Sequence, residues 1–220
     1  MNPCPSEKAL NVVYRDIYST SEYRKIDGYA NQRFEDDLAA GLLVFESVID
    51  EIESFRTSPG SLLDVGCGIG GHLFEASTRG WKTVGVEPSL AMTSFSQKQL
   101  GLQVHNCTIE NMEVAQESFD AVLMLEVIEH MSKPLNILRR IHRLAKPGGV
   151  LYITCPNAHS PCACLLGPKW MGWKPPTHLF FFHFLSIRKS LELTGWDPLL
   201  VKSGGRYPGQ LKVIAKKINS

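Results

Sequence analysis

Residues 61–71, with the sequence SLLDVGCGIGG, constrain the fold of this chain more than any other stretch. Leucines and a valine lead into three glycines, Gly66, Gly68 and Gly70. An apolar run that ends in glycines at this spacing predicts a buried strand, a tight turn and the start of a helix. Glycine adopts positive φ and lets a ligand approach the backbone closely, so a ligand site is one interpretation. A tight connection without a ligand is the other, because such turns occur in many α/β proteins.

Strands and helices alternate along most of the chain. Apolar runs predict strands at residues 61–65, 82–87, 102–105, 119–125 and 150–155. Helical periodicity predicts helices at residues 70–79, 89–99, 134–145 and 185–194. The last two predicted strands, WDPLLVKS and QLKVIAKK, are joined by a short connection and must pair antiparallel. We therefore expect a doubly wound, seven-stranded sheet, mostly parallel with an antiparallel last strand, and helices on both faces.

The N-terminal part of the chain has a different character. Residues 1–35 are polar and turn-rich, and residues 35–55 show helical periodicity. We expect residues 1–55 to form an N-terminal lid and a helix packed on the core, and residues 56–220 to form one domain. Within that domain, residues 156–184 hold tryptophans and phenylalanines between prolines, and we predict an insertion there after the fifth strand.

Charge and cysteine content exclude several classes of protein. The net charge of +1 gives no indication of a long nucleic acid or an anionic membrane as partner. No apolar run reaches the roughly 20 residues that span a bilayer. The six cysteines do not match a zinc motif, so we predict reduced thiols in a cytoplasmic protein, with a soft-metal pair at Cys162 and Cys164 as an alternative. Basic residues between the fourth and fifth strands are interpreted as a solvated helix face: Arg139, Arg140, His142, Arg143 and Lys146.

Polar residues follow several strands at the edge where α/β sheets bind ligands. Glu87 ends the second strand, about 20 residues beyond the glycines, where an acid accepts hydrogen bonds from ribose hydroxyls. Thr108 and Ile109 follow the third strand, and Leu125 and Glu126 close the fourth. An NAD(P)-dependent oxidoreductase would also use the glycine turn and the acid at the end of the second strand. Such enzymes more often carry G-x-G-x-x-G than the G-x-G-x-G present here.

Four motifs in order carry a family resemblance: DVGCGIG, VGVEPS, SFDAVLMLEVIEH and LAKPGGVLYITCPN. Together they resemble the class I S-adenosylmethionine-dependent methyltransferases over residues from about 60 to 217. The later stretch PPTHLFFFHFLSIRKSLELTGW resembles the branch with ubiquinone-biosynthesis O-methyltransferases and related small-molecule enzymes. The resemblance implies a Rossmann-like fold and methyl transfer from S-adenosyl-L-methionine to a small acceptor at a hydroxyl oxygen.

The resemblance also implies which residues bind the cofactor. The glycine turn would line its methionine part through Asp64, Gly66, Cys67, Gly68 and Gly70. Glu87 and Pro88 would lie at the ribose, and Thr108 and Ile109 would flank the adenine. Leu125 and Glu126 would close the site after the fourth strand. Asn111 stands where the family commonly has an acid at the adenine.

Three hypotheses concern the string EVIEH. Glu126, Glu129 and His130 stand at i, i+3 and i+4, so a helix would place them on one face. In the first hypothesis, Glu129 and His130 merely cap the turn after the fourth strand. In the second, His130 acts as a general base, assisted by Glu126 and His178. The third hypothesis follows from the resemblance of E-x-x-E-H to a divalent-metal site in some related O-methyltransferases. Its ligands would be Glu126, Glu129, His130 and His178.

The acceptor side is expected in residues 156–184. Trp170, Met171 and Trp173 would favour an acceptor of apolar or ring character, while the phenylalanines fit a hydrophobic brace equally well. Three tyrosines near the N-terminus would form the opposite side of the acceptor site: Tyr14, Tyr18 and Tyr23. Arg24 would reach the cofactor carboxylate. A monomer or a homodimer is expected. A non-catalytic cofactor-binding protein and an oxidoreductase stay as alternatives.

Overall fold

The computed structural model describes residues 48–55, 58–175, 177–204 and 209–218. Its helices are α1 Val48–Glu53, α2 Gly71–Thr78, α3 Leu90–Leu100, α4 Pro134–Leu144, α5 Pro161–Leu166 and α6 Phe184–Glu192. Its strands are β1 Ser61–Val65, β2 Lys82–Val86, β3 Val104–His105, β4 Phe119–Leu125, β5 Ala145–Pro156, β6 Trp196–Ser203 and β7 Gln210–Lys217. Within these ranges, short 3-10 helices lie at Ile128–His130 and Gly167–Lys169.

The strands form one sheet with the order β3-β2-β1-β4-β5-β7-β6 in the described part of the chain. The ladders from β3 to β5 are parallel, and β7 pairs antiparallel with both β5 and β6. The predicted seven-stranded sheet with an antiparallel last strand is therefore confirmed. Because β7 inserts between β5 and β6, the start of β7 lies beside the end of β5, at Gln210 opposite Pro156.

The sheet separates two apolar cores because successive strand residues point to opposite faces. On β1, Leu62 packs with residues of α1 and α2, whereas Leu63 packs with residues of α4 and α6. Tyr152 and Ile153 divide in the same way on β5. Helices thus cover both faces, as expected, and the carboxyl ends of the parallel strands remain as the edge at which a ligand can bind.

Most element boundaries agree with the prediction to within one or two residues, and the largest difference is at the start of β5. β5 begins at Ala145 rather than at residue 150, because Ala145 already pairs with Phe119 before a register shift in the β4–β5 ladder. β3 is only two residues long. The helix expected over residues 35–55 is present at Val48–Glu53, and the rest of that prediction lies outside the described residues, as do Arg24 and the N-terminal tyrosines.

Candidate active site

The turn after β1 adopts the conformation that its glycines permit. Gly66, Gly68 and Gly70 have φ of 70°, 56° and 86°, and Gly70 is the N-cap of α2. A Cβ at Gly66 would lie 2.7 Å from Cγ2 of Val127, so a larger residue would clash as well as be strained. Among the described residues, a Cβ at Gly68 would meet Sδ of Met92 at 3.9 Å, an ordinary van der Waals contact. Within this part of the chain the turn is therefore tight at Gly66 and less crowded at Gly68.

Two buried acids lie beside this turn. Asp64 is 3% exposed, and burial, followed by the charge of Glu87, raises its pKa to about 8. The carboxylate of Glu87 accepts hydrogen bonds from the backbone N–H of Gly68 at 3.0 Å and of Ser89 at 2.7 Å. Burial raises the pKa of Glu87, and these two hydrogen bonds oppose that increase. Burial and both carboxylates raise the pKa of the Cys67 thiol, which argues against a reactive thiolate in the turn.

The loop after β3 is tied to the end of β2. The side-chain amide of Asn106 donates to the carbonyls of Glu87 at 3.0 Å and of Pro88 at 3.1 Å. Thr108 is half-buried, and its carbonyl accepts a hydrogen bond from the N–H of Asn111. The side chain of Ile109 is only 2% exposed and belongs to the apolar core, so only its main chain is left to meet an adenine ring.

The end of β4 has an unusual backbone. Glu126 has φ of 56°, a left-handed conformation that non-glycine residues rarely adopt and that marks a strained site. Its N–H donates to the carbonyl of Thr154 at 2.9 Å, and its Oε1 accepts from Nε2 of Gln210 at 2.6 Å. Leu125, just before it, is half-buried against the apolar core. The strain and the buried amide of Gln210 together fix the direction of the Glu126 side chain.

Three side chains converge just after β4. Among the described residues, Glu129, His130 and His178 offer ligand atoms that all lie within 4.8 Å of one another. Glu129 is 1% exposed, and neither of its carboxylate oxygens has a hydrogen-bond partner in the described part of the chain. Burial, followed by the charge of Glu126, raises the pKa of Glu129 well above its ordinary value. A buried carboxyl without a hydrogen-bond partner among the described residues is costly, and a cation or a hydrogen-bond donor close to it would offset that cost.

Both histidines are held in one tautomer. Nδ1 of His130 lies 2.8 Å from the carbonyl of Thr177, and Nδ1 of His178 lies 2.8 Å from the carbonyl of Gly172. A carbonyl only accepts hydrogen bonds, so each Nδ1 carries a proton and the lone pair of a neutral ring is on Nε2. The same arrangement orients histidines that bind metals.

The expected helical face for these residues is not what brings them together. Ile128–His130 is a single 3-10 turn, and Glu126 precedes it in the left-handed conformation, so no regular helix contains the three positions. His178 joins the cluster because the N–H groups of Leu179 and Phe180 donate to the carbonyl of Glu129 at 2.8 and 3.1 Å. Glu126 is not among the three converging residues and is instead held by Gln210.

The segment 156–184 divides into buried and exposed aromatic residues. Trp170 is 2% exposed, and a Cβ at Gly172 would lie 2.4 Å from its ring, so Trp170 is packed inside the segment rather than lining an open pocket. Met171 is 60% exposed, and Phe180 and Phe181 are also exposed. Cys162 and Cys164 are free thiols two residues apart on α5, a spacing that places side chains on opposite sides of a helix and disfavours a shared metal.

Sequence reasoning missed Gln210, which lies 84 residues from Glu126 and has no motif around it. Its only signal is its position at the start of an apolar strand, where a polar residue needs a partner once buried. Asn106 was missed for the same reason. Both residues acquire their roles through contacts between strand ends that are distant in the sequence.

A comparison with family models decides what kind of protein carries this site. Residues 36–201 match the family described as a methyltransferase domain. The chain belongs to this methyltransferase family. The match, together with the fold, confirms the resemblance to the class I S-adenosylmethionine-dependent methyltransferases, and it does not favour an oxidoreductase or a non-catalytic protein.

Two curated relatives of this methyltransferase domain share the name ubiquinone biosynthesis O-methyltransferase. The ubiquinone biosynthesis O-methyltransferase of Cereibacter sphaeroides strain ATCC 17025 is 37% identical over 150 residues, which are 63% of this chain and 60% of the relative. The protein of the same name from Pseudomonas paraeruginosa is 38% identical over 104 residues, 44% of each chain. This chain therefore spans about 60% of the length of the first of these relatives.

Solved structures share the fold of this methyltransferase domain. The 1,6-didemethyltoxoflavin-N1-methyltransferase of Burkholderia thailandensis, solved with 1,6-didemethyltoxoflavin and S-adenosylhomocysteine, has a TM-score of 0.72 at 17% identity, covering 100% of this chain and 93% of that one. The [4+2]-cyclase SpnF has a TM-score of 0.61 at 20% identity, and the match covers 78% of this chain and 80% of that one. A cyclase on this fold means that the reaction must be argued from the site. Along the described residues, no helix combines the length and apolar character that crossing a membrane requires.

Proposed function

We propose that this chain transfers a methyl group from S-adenosylmethionine to a hydroxyl oxygen of a small-molecule acceptor. The observation that carries the proposal is the meeting of two groups of residues at one sheet edge. β1 pairs with both β2 and β4, so the glycine turn and Glu87 lie next to the strand that leads to His130. The relatives named O-methyltransferase favour oxygen as the methylated atom.

The residues after β1 and β2 fit the cofactor. Within the described part of the chain, Gly68 leaves space beside the turn. Glu87 is already oriented by two backbone N–H groups, so its carboxylate can accept ribose hydroxyls without reorganising. Burial and the charge of Glu87 raise the pKa of Asp64, and a positively charged ligand nearby would favour its ionised form. The cofactor, when bound, supplies an electrophilic methyl group on its sulfonium.

The residues after β4 would remove the proton of the acceptor. Thr177 fixes the His130 tautomer, so Nε2 is the atom that accepts the proton from the hydroxyl. The rings of His130 and His178 are nearly perpendicular, with centroids 4.7 Å apart, and this contact restricts the orientation of His130. Glu126, held by Gln210, places a carboxylate near this cluster and would stabilise the imidazolium once the proton is taken.

A divalent metal fits the same three side chains. Glu129, His130 and His178 would hold it, because they supply one carboxylate and two imidazole nitrogens within ligand distance of one another. The orphaned carboxylate of Glu129 supports this proposal independently of any motif. A bound metal would lower the pKa of an acceptor hydroxyl. Glu126, the fourth candidate, would need to leave Gln210 to join it.

Calorimetric titration with S-adenosylhomocysteine and S-adenosylmethionine tests the cofactor first. We expect micromolar binding by the full chain, and binding at least about tenfold weaker after Glu87→Gln, because a charge-assisted acceptor for the ribose is lost. Glu192→Gln, an exposed acid on α6, serves as the control and should bind like the wild type. Absence of binding by the wild type would contradict the proposed function.

Metal dependence is tested by thermal unfolding with manganese, magnesium or zinc chloride, and with chelator. We expect a metal-dependent rise of Tm that Glu129→Gln abolishes, since that carboxylate is the buried charged ligand. If no metal raises Tm, the base hypothesis is favoured, and His130→Asn should then lower kcat by about 100-fold or more at saturating cofactor. Turnover that is unchanged in His130→Asn would contradict both roles.

Finer properties of the protein are also proposals. Met171, Phe180 and Phe181 are exposed in the segment that carries His178, which supports an acceptor of apolar or ring character. The near-zero net charge favours a small molecule over a long nucleic acid as partner. A cytoplasmic location, a monomer or homodimer, and the division of the chain at residue 55 stay predictions.

A further inference from the structure

Arg140 does not behave as a member of a solvated helix face. It lies on α4 and is half-buried, with Nε donating to the carbonyl of Ile109 at 2.5 Å and Nη2 donating to the carbonyl of Met112. Its neighbour Arg139 is exposed and, among the described residues, donates within the helix, to Oδ1 of Asn136 at 3.3 Å. The sequence-based interpretation therefore holds for Arg139 and fails for Arg140, which reaches back to the loop after β3.

The loop that Arg140 contacts is held from two sides. On one side, Asn106 ties its beginning to the carbonyls of Glu87 and Pro88 at the end of β2. On the other side, Arg140 ties its later part to α4, 28 and 31 residues away in the sequence. This loop is the place at which an adenine ring is expected, because it follows the strand next to the ribose acid Glu87.

The two carbonyls fix the orientation of the peptide groups in the loop. A trans peptide points its C=O and its N–H in opposite directions, so a carbonyl held by Arg140 directs the following N–H away from α4. Both hydrogen bonds are charge-assisted, and the rigid fork of the guanidinium holds two acceptors at once. A lysine has one compact ammonium on a flexible stem and does not reproduce that fork. The side chains of Ile109 and Met112 are buried on the core side, which keeps the loop from moving as a whole.

We infer that Arg140 is a positioning residue for the cofactor, which acts through the main chain of residues 109–112 to hold the adenine-binding loop in its bound conformation. The inference rests on the proposed function, since it assumes that the cofactor binds at this sheet edge. A preformed loop avoids the entropy cost of ordering it when the ligand binds, so the loss of Arg140 should weaken binding of the adenine end.

Titration calorimetry with S-adenosylhomocysteine and with adenosine tests this role. Arg140→Met should raise both dissociation constants about tenfold, which corresponds to about 1.4 kcal/mol. Arg140→Lys should give a smaller increase, about threefold, because a single ammonium reaches one carbonyl of the two. Arg139→Met is the matched control, with the same helix and the same change, and should bind both ligands like the wild type.

The readouts separate positioning from general destabilisation and from failure of the proposed function. Thermal unfolding of each variant without ligand reports the structural cost, and KM for S-adenosylmethionine should rise in Arg140→Met while kcat at saturation is unchanged. A lower Tm with wild-type affinity for both ligands would overturn the inference. If Arg140→Met does not fold, wild-type affinity in Arg140→Lys would overturn it. Absence of binding by the wild type itself would overturn the proposed function.

Discussion

Asp64 makes the free energy of unfolding depend on pH in an unusual direction for an acid. Its pKa is about 8 in the folded protein, against 3.8 as the ordinary value for the unfolded chain, because burial and then Glu87 disfavour the charged form. Between these two values the folded state holds a proton that the unfolded state has released. The stability that this proton provides is complete below pH 3.8 and is lost as the pH rises through about 8.

The magnitude follows from the linkage relation. One proton bound only in the folded state changes the free energy of unfolding by about 1.4 kcal/mol per pH unit. From pH 5 to pH 7 the protein should therefore lose about 2.7 kcal/mol through Asp64 alone, and the loss should level off above pH 8, where both states are ionised. This is a large fraction of the stability of a typical domain.

Asp64→Asn removes the titration and keeps a side chain of the same shape. Urea unfolding, followed by tryptophan fluorescence at pH 5, 6 and 7, gives the free energy for wild type and variant. We expect the free energy of unfolding of the variant, relative to that of the wild type, to rise by about 1.4 kcal/mol for each pH unit. Contributions of the other titrating groups cancel in this difference. Asp197→Asn, at an exposed position on β6, is the matched control for removal of a carboxylate.

A difference between Asp64→Asn and wild type that stays constant within about 0.5 kcal/mol from pH 5 to pH 7 would refute this reasoning. It would mean that the folded protein holds Asp64 ionised throughout that range, and that a cation or hydrogen-bond donor compensates its burial. The same measurement with saturating S-adenosylmethionine should show a weaker trend, because the positive ligand favours the ionised carboxylate.

Two further substitutions test the backbone and the support of the site. Gln210→Met should lower kcat about tenfold, because Glu126 loses its buried donor, while the dissociation constant for S-adenosylhomocysteine should be unchanged. If Gln210→Met lowers kcat by the same factor in a protein that already carries Glu126→Ala, this explanation is contradicted. Gly66→Ala should cost about 3 kcal/mol in urea unfolding, against about 1 kcal/mol for Gly101→Ala, because both have positive φ but only Gly66 meets Val127. Equal costs would show that the clash with Val127 is relieved.

The sequence determined the fold because its signals are local. The apolar run before Gly66 and the periodicity of the following segments specify strands and helices within single windows of the chain. Their alternation then leaves few topologies, since parallel strands need helical crossovers and adjacent strands joined by a short turn pair antiparallel. The boundaries were less well specified: Ala145 joins β5 only through its pairing with Phe119 on another strand.

The candidate site was determined by the sequence only where a motif lies in one stretch. The glycine turn and the string containing Glu129 and His130 were visible, but the expected helical face was wrong, because the backbone turns sharply at Glu126. Whether the named residues bind the cofactor stays a prediction.

Tertiary structure alone decided which distant residues support these motifs. His178 meets Glu129 because two N–H groups dock on a carbonyl, Gln210 reaches Glu126 across two strand ends, and Arg140 crosses from a helix to a loop. None of these contacts follows from periodicity or spacing, since each joins residues that are far apart in the sequence. The physical reason is that a strand or helix is selected by its own residues, whereas a polar side chain takes its role from whichever partner the packed sheet brings within hydrogen-bond distance.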